Sequence, residues 1–271
     1  MGHELSGHAI EASRDGRIAA GDLVVINPYL SCKTCRACRA DKPNCCENIK
    51  VLGVHTDGGM CEQISVPDEN LYPATGLSET GAAMVEFLAI GAHGVRRSGI
   101  GREASAMVVG AGPIGIGCAF FAAVAGAEVT LCDTSPARLE LAGKILPQVR
   151  LVDAASRGDE AFDAVFDATG NLDSMNAGLN WVAHGGSYVL LSLVKGELRF
   201  SDPEFHKRET TLYASRNAVE ADFRHVMDTM RAGLVPVDLL ATHETSLEDA
   251  VQDMPRWVEN RGALVKAIIH V

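Results

Sequence analysis

Residues 108–117 read VVGAGPIGIG. The apolar run SAMVV leads into this stretch, and PIGIGCAFFAAVAG leads out of it with apolar residues on a helical spacing. Gly110, Gly112 and Gly115 form G-x-G-x-x-G between a strand and a helix. Glycines there allow a tight turn and let backbone approach a pyrophosphate, while the helix N-terminus supplies amide donors and a positive dipole. A turn that serves packing alone is the competing reading, and the strand–turn–helix context disfavours it. Asp133 closes the next strand, EVTLCD, 18 residues after Gly115. A carboxylate at that position accepts hydrogen bonds from both ribose hydroxyls and repels a 2′-phosphate, so NAD is favoured over NADP. No arginine adjoins Asp133 in sequence; Arg138, one helical turn on, is placed to cover the adenine.

Outward from this turn, strand and helix patterns alternate. SPARLELAGKIL reads as a helix, FDAVFDATG as a strand, LDSMNAGLNWVAHGG as a helix, and SYVLLSLV and TTLYASRN as strands. Such alternation with short loops predicts an α/β fold with a doubly wound parallel sheet. Residues 1 to about 75 read instead as short strands and turns, including DLVVINPYL and GGMCEQISVP. They suggest a partly open antiparallel unit. Residues 77–99 carry helical spacing, with Ser78 as N-cap and Gly99 as stop. After Asn217 two helical stretches and a final strand, ALVKAIIHV, return to complete the first unit. The expected divisions are 1–90, 91–216 and 217–271.

With 47% hydrophobic and 22% charged residues the composition is that of a globular protein, and aromatics at 5% leave aliphatic side chains and alanine to fill the core. No apolar run reaches membrane-spanning length uninterrupted. The start carries His3 and Glu4 where a signal peptide would have basic residues. A cytoplasmic protein is the expectation. The net charge of −11 argues against nucleic acid or an anionic membrane as partner.

Five of eight cysteines fall within residues 32–46, CKTCRACRADKPNCC. Cys32, Cys35, Cys38 and Cys46 follow C-x2-C-x2-C-x7-C, which four-thiolate tetrahedral zinc suits. With all four positions filled by protein, such an ion is structural. Disulfides conflict with the cytoplasmic expectation. An iron–sulfur cluster uses the same ligand type. A nucleic-acid-binding zinc ribbon is disfavoured by the acidic balance.

Together, GHELSG (2–7), the cysteine lobe, GVHTDGGMCEQISVP (53–67), MVEFLAIGAHGV (84–95), VVGAGPIG (108–115) and FDATGN (166–171) resemble the zinc-containing medium-chain dehydrogenases. LGVHTDGG, NLYPA and SRN are most similar to the sorbitol, threonine and hexonate 5-dehydrogenase branch. The resemblance implies a GroES-like, mostly β catalytic domain built from both chain ends, with a Rossmann domain inserted. It implies a catalytic zinc at His3, Glu4 and Glu86, a structural zinc in the lobe, and NAD against Gly110, Gly112, Pro113, Ile114, Gly115, Asp133, Arg138, Thr169 and Arg216. It further implies a small-molecule polyol or sugar-acid substrate whose secondary alcohol is oxidised, and a homodimer or homotetramer. Arg216 is also placed to neutralise an acid group on the substrate. His93 reads as a satisfied helix histidine.

One departure stands at the front. Family members have several tens of residues before Gly-His-Glu, carrying a cysteine ligand and a proton-relaying Ser or Thr. Here that tripeptide occupies residues 2–4, and Cys61, in a strand-like segment, is a poor substitute. The favoured reading is that Met1 is internal to a longer protein. The alternative is a catalytically inactive NAD-binding remnant or sensor, with an incomplete catalytic zinc site and an exposed sheet edge.

Overall fold

The N-terminal third is built from short strands that pair antiparallel. The structure, a computed structural model, describes residues 1–260 and 262–271. Strand β1 (Leu5–His8) pairs with β2 (Leu23–Ile26), whose valines and isoleucine are buried. Beyond Asn27 and Pro28 the chain forms β3 (Tyr29–Leu30), the short helix α1 (Arg36–Arg39) and β4 (Lys50–Val51), which pairs antiparallel with β3. Strand β5 (Leu71–Pro73) adds to β2, giving the order β1–β2–β5. The segment GGMCEQISVP is not a strand. Gly59 and Met60 donate to Gly2 and Met1 carbonyls at 3.0 and 3.2 Å, and no strand pairing is recorded for residues 61–67. Polar–apolar alternation permits an extended chain, but a strand also needs a partner for its amides and carbonyls.

The helical stretch expected over 77–99 is two helices, α2 (Glu79–Ala83) and α3 (Val85–Ser98). Ser78 caps the first, its hydroxyl accepting the Gly81 amide at 3.1 Å. Gly99 follows the second at φ +71°, the left-handed conformation in which helices commonly end.

Alternation then builds the second unit, Ile90–Arg216. In order come β6 (Ser105–Val109), α4 (Pro113–Val124), β7 (Glu128–Asp133), α5 (Pro136–Ile145), β8 (Arg150–Asp153), β9 (Phe162–Asp167), α6 (Leu172–Gly178), β10 (Val182–Leu190), α7 (Asp202–Lys207) and β11 (Thr211–Ala214). The six strands are parallel and lie in the order β11–β10–β9–β6–β7–β8. Strand β6 is almost continuously apolar and buried, as a central parallel strand must be. Strand order reverses between β6 and β9, and ligands of open α/β sheets bind outside the carboxyl ends of strands at such a switch point. Pro113 at the first turn of α4 and Pro136 at that of α5 preset helical φ where no amide partner is needed.

From Asn217 the chain rejoins Met1–Ala89 in one unit. It forms α8 (Glu220–Arg231), α9 (Val237–Leu240), β12 (Ala241–Ser246), α10 (Ala250–Glu259) and β13 (Lys266–His270). Strands β12 and β13 pair in parallel. The sequence ATHETS is too polar to announce β12, and its pairing with β13 supplies what hydropathy does not. Helix α8 buries Phe223, Val226, Met227 and Met230, an i, i+3, i+4, i+7 face. The Phe223 ring lies 6.2 Å from Tyr29 and 5.3 Å from Tyr72, so one side chain joins the returning segment to β3 and β5. Replacing it, Phe223→Ala, should cost about 3–5 kcal/mol, read as a lowered midpoint in urea unfolding.

Candidate active site

Three groups of chemistry-bearing side chains stand out, two in the unit built from both chain ends and one in the parallel-sheet unit.

The first gathers His3, Glu4 and Glu86, whose ligand atoms lie within 4.8 Å of one another. Their positions in the chain are far apart. His3 and Glu4 precede β1, while Glu86 sits in the first turn of α3. Glu86 is only 4% exposed, and its neighbours Phe87 and Leu88 are buried core. Burial, and then the Glu4 charge, push its carboxyl up to about 7, against the opposing pull of Tyr29 and Lys266. The Tyr29 hydroxyl donates to Glu86 Oε1. Burial and then the Glu86 charge hold the Tyr29 phenol well above its ordinary range, so it remains a donor. The Lys266 ammonium, from β13, pairs with Glu4 Oε2 and sits 4.3 Å from the Phe87 ring centre. One imidazole and two carboxylates, with the Lys266 ammonium beside Glu4, form a donor set suited to a divalent cation. Three protein ligands would leave a coordination position open, the pattern of a catalytic zinc. Neither Tyr29 nor Lys266 was singled out by the sequence, because nothing local ties either to Glu86 or Glu4. Cys61 lies outside the group; it is exposed, with its sulfur near the Gly58 and Gln63 carbonyls.

The second group is the cysteine lobe. The sulfurs of Cys32, Cys35, Cys38 and Cys46 lie within 4.8 Å of one another, and all four are free thiols. Backbone amides point at them: Cys46 Sγ accepts from Cys32 and Asn48 at 3.2 and 3.3 Å, and Cys35 Sγ from Cys38 at 3.5 Å. Donors from Thr34, first its amide and then its hydroxyl, draw Cys32 down to about 5. Cys38 moves the other way, raised by desolvation and then by the Cys35 sulfur. Four thiols this close cannot all ionise without a cation among them. The set fits tetrahedral zinc. Cys45 is exposed and stands apart from the cluster.

The third group surrounds the glycine turn. Gly110 has φ +103°, and a Cβ there would lie 3.0 Å from the Ala168 carbonyl oxygen. A Cβ on Gly115 would fall 1.7 Å from the Gly110 carbonyl oxygen, so only glycine closes this turn. A Cβ on Gly112 would meet nothing within 4 Å, which leaves an open approach at the N-cap of α4. Pro113 and Ile114 begin that helix. The turn fits a dinucleotide pyrophosphate through its backbone. Asp133, 7% exposed, accepts the Ala111 and Ser135 amides at 2.7 and 2.8 Å. Arg138, a helical turn away in sequence, brings its guanidinium to 3.9 Å from Asp133. Across the switch point the buried Asp167 accepts the Thr169 amide and hydroxyl at 2.9 and 2.7 Å and the Ser174 hydroxyl at 2.8 Å. Sequence reasoning missed Asp167, although its place at the end of β9 mirrors that of Asp133 on β7. Arg216 follows β11 and is exposed. His93 is 4% exposed and its Nδ1 is 3.1 Å from Arg96 Nη2.

Asp133→Ala should destabilise the protein by roughly 1–3 kcal/mol for each amide left without its acceptor, measured by chemical denaturation without added cofactor.

Residues 1–76 match the alcohol dehydrogenase GroES-like domain, and residues 113–232 the zinc-binding dehydrogenase domain. The chain is 42% identical to L-galactonate-5-dehydrogenase of Escherichia coli K12 over 279 aligned positions, covering 99% of this chain and 82% of that protein. It is 33% identical to D-altritol 5-dehydrogenase of Agrobacterium fabrum, covering 80% of this chain and 67% of that one. A Sinorhizobium meliloti 1021 protein described as a zinc-binding dehydrogenase, bound to NADP, superposes with a TM-score of 0.88 at 26% identity, covering 99% of this chain and 82% of that one. These likenesses lend no support to the inactive-remnant reading. With two family domains in order and a sugar-acid dehydrogenase aligned along nearly its whole length, the chain belongs to the zinc-containing medium-chain dehydrogenases, oxidoreductases of the polyol and sugar-acid branch.

Proposed function

We propose that this chain oxidises a secondary hydroxyl of a polyol or sugar acid to a ketone, transferring hydride to NAD and releasing the hydroxyl proton to solvent, at a zinc held by His3, Glu4 and Glu86. The observation that carries this reading is the convergence of those three side chains, with ligand atoms within 4.8 Å. When bound, zinc supplies the Lewis acidity that makes a hydroxyl easier to deprotonate, and the nicotinamide supplies the hydride acceptor.

The chain's own groups do the rest. His3 and the two carboxylates hold the ion and leave a position facing substrate. Lys266 offsets the Glu4 charge, and Tyr29 steadies Glu86. In the parallel-sheet unit the turn Gly110–Gly112–Gly115, with Pro113 and Ile114, offers backbone amides to the pyrophosphate. Asp133 accepts the ribose hydroxyls, for which its buried position and two amide donors keep it oriented. Its carboxylate favours NAD over NADP. Arg138 beside it covers the adenine, Thr169 lines the nicotinamide side of the switch point, and Arg216 meets an anionic group on cofactor or substrate. Cys32, Cys35, Cys38 and Cys46 hold a second, structural zinc. The family likeness and the free edge of β11 favour a homodimer or homotetramer. Among the described residues no helix is long and apolar enough to cross a membrane.

Elemental analysis should find two zinc ions per chain. His3→Ala should remove one and lower kcat with a hexonate substrate by about a thousandfold, the several kcal/mol that Lewis-acid stabilisation provides. Cys46→Ser should remove the other and lower the melting temperature. NAD should be reduced in preference to NADP across a panel of polyols and hexonates. One zinc in the wild type, unchanged by His3→Ala, would refute the proposal.

A further inference from the structure

Among the groups around the carboxylate cluster, Tyr29 has a geometry its neighbours lack. Its hydroxyl donates to Glu86 Oε1, which leaves Oε2 as the oxygen without that donor. The phenol itself is held from several sides. Tyr29 is 7% exposed, and its amide donates to Asn27 Oδ1 at 3.0 Å. Its carbonyl accepts from Asn70 Nδ2 at 3.2 Å, it pairs with Val51 across β3 and β4, and its ring meets Phe223 edge-on at 76°. Glu86 is 4% exposed on the opening turn of α3, and its carboxylate is gripped by a side chain with little freedom of its own.

The two carboxylates of the cluster are therefore treated differently. Glu4 is paired with the Lys266 ammonium, which neutralises part of the charge it could offer a cation. Glu86 is hydrogen-bonded by a neutral phenol, which orients the group and leaves its charge available. Metal-ligating carboxylates are usually fixed by such an outer hydrogen bond, and removing it typically costs 10–100-fold in metal affinity.

We infer that Tyr29 is a positioning residue that presents Glu86, through one oxygen, as a ligand of the ion held with His3 and Glu4. This rests on the proposed metal role of that cluster. Tyr29 touches neither substrate nor ion; it acts through Glu86. By engaging Oε1 it orients the carboxylate and favours Oε2 as the oxygen offered to the ion.

The test is zinc affinity, read by competition with a chromophoric chelator on the full chain, in a two-by-two cycle of Tyr29→Phe and Glu86→Gln. Phenylalanine keeps the ring and its contact with Phe223, and retention of the zinc in the cysteine lobe reports that each variant is folded. Tyr29→Phe should weaken the His3–Glu4–Glu86 site by about 10–100-fold, with the cysteine-lobe ion unaffected. The same change in the Glu86→Gln background should have little further effect, since the group it acts through has lost its charge. In the cobalt-substituted protein Tyr29→Phe should also shift the visible ligand-field bands. Wild-type affinity in Tyr29→Phe, or an equal loss with Glu86→Gln present, would overturn the role given to Tyr29 while leaving the metal site standing. A wild type that takes up only the cysteine-lobe zinc would overturn the site, and the role of Tyr29 with it.

Discussion

A carboxylate buried on an apolar helix is the constraint around which the unit made from both chain ends is arranged. Glu86 is 4% exposed between the buried residues Val85 and Phe87. An unpaired charge there would cost several kcal/mol even after the protein relaxed. The groups gathered around it come from three separate places: His3 and Glu4 before β1, Tyr29 on β3, and Lys266 on β13. Their convergence gives the returning segment a chemical reason beside its hydrophobic one. Phe223 packs that segment against Tyr29 and Tyr72, so the ring that closes the core also braces the phenol on Glu86.

The parallel-sheet unit solves a different problem by backbone means. Its turn is closed by contacts that exclude any side chain at Gly115 and strain one at Gly110. Carboxylates at the strand ends then gather loose amides and hydroxyls. Asp133 takes those of Ala111 and Ser135, and Asp167 those of Thr169 and Ser174. Each buried charge is satisfied by its own neighbourhood in sequence or by the adjacent strand. The cysteine lobe follows the same local logic, since three of its four sulfurs come from one seven-residue stretch and its amide donors from the same loop. Local sites of this kind are legible in a sequence because spacing alone fixes which atoms meet.

That difference decides what could be read in advance. Alternating elements, the glycine turn, Asp133 and the four cysteines all stand in the sequence as spacings, and the sheet order and the cysteine cluster follow them. His3, Glu4 and Glu86 were named through family likeness, not spacing, because Glu86 lies 82 positions beyond Glu4. The segment 58–67 misled because alternation describes a chain able to form a strand, while a strand exists only where a partner meets its amides. Strand β12 was missed for the converse reason: ATHETS has little hydrophobic pattern and is a strand because β13 lies beside it.

Fold class, the closed glycine turn and the cluster of four cysteines are written in the order of the residues, because their interactions span a few positions and are dictated by stereochemistry. It took the packed chain to set a tyrosine from β3 on Glu86 and a lysine from β13 beside Glu4. Those contacts join positions that no periodicity relates. They arise because burying the carboxylates requires donors, and the donors available are whichever side chains the packed core brings within reach.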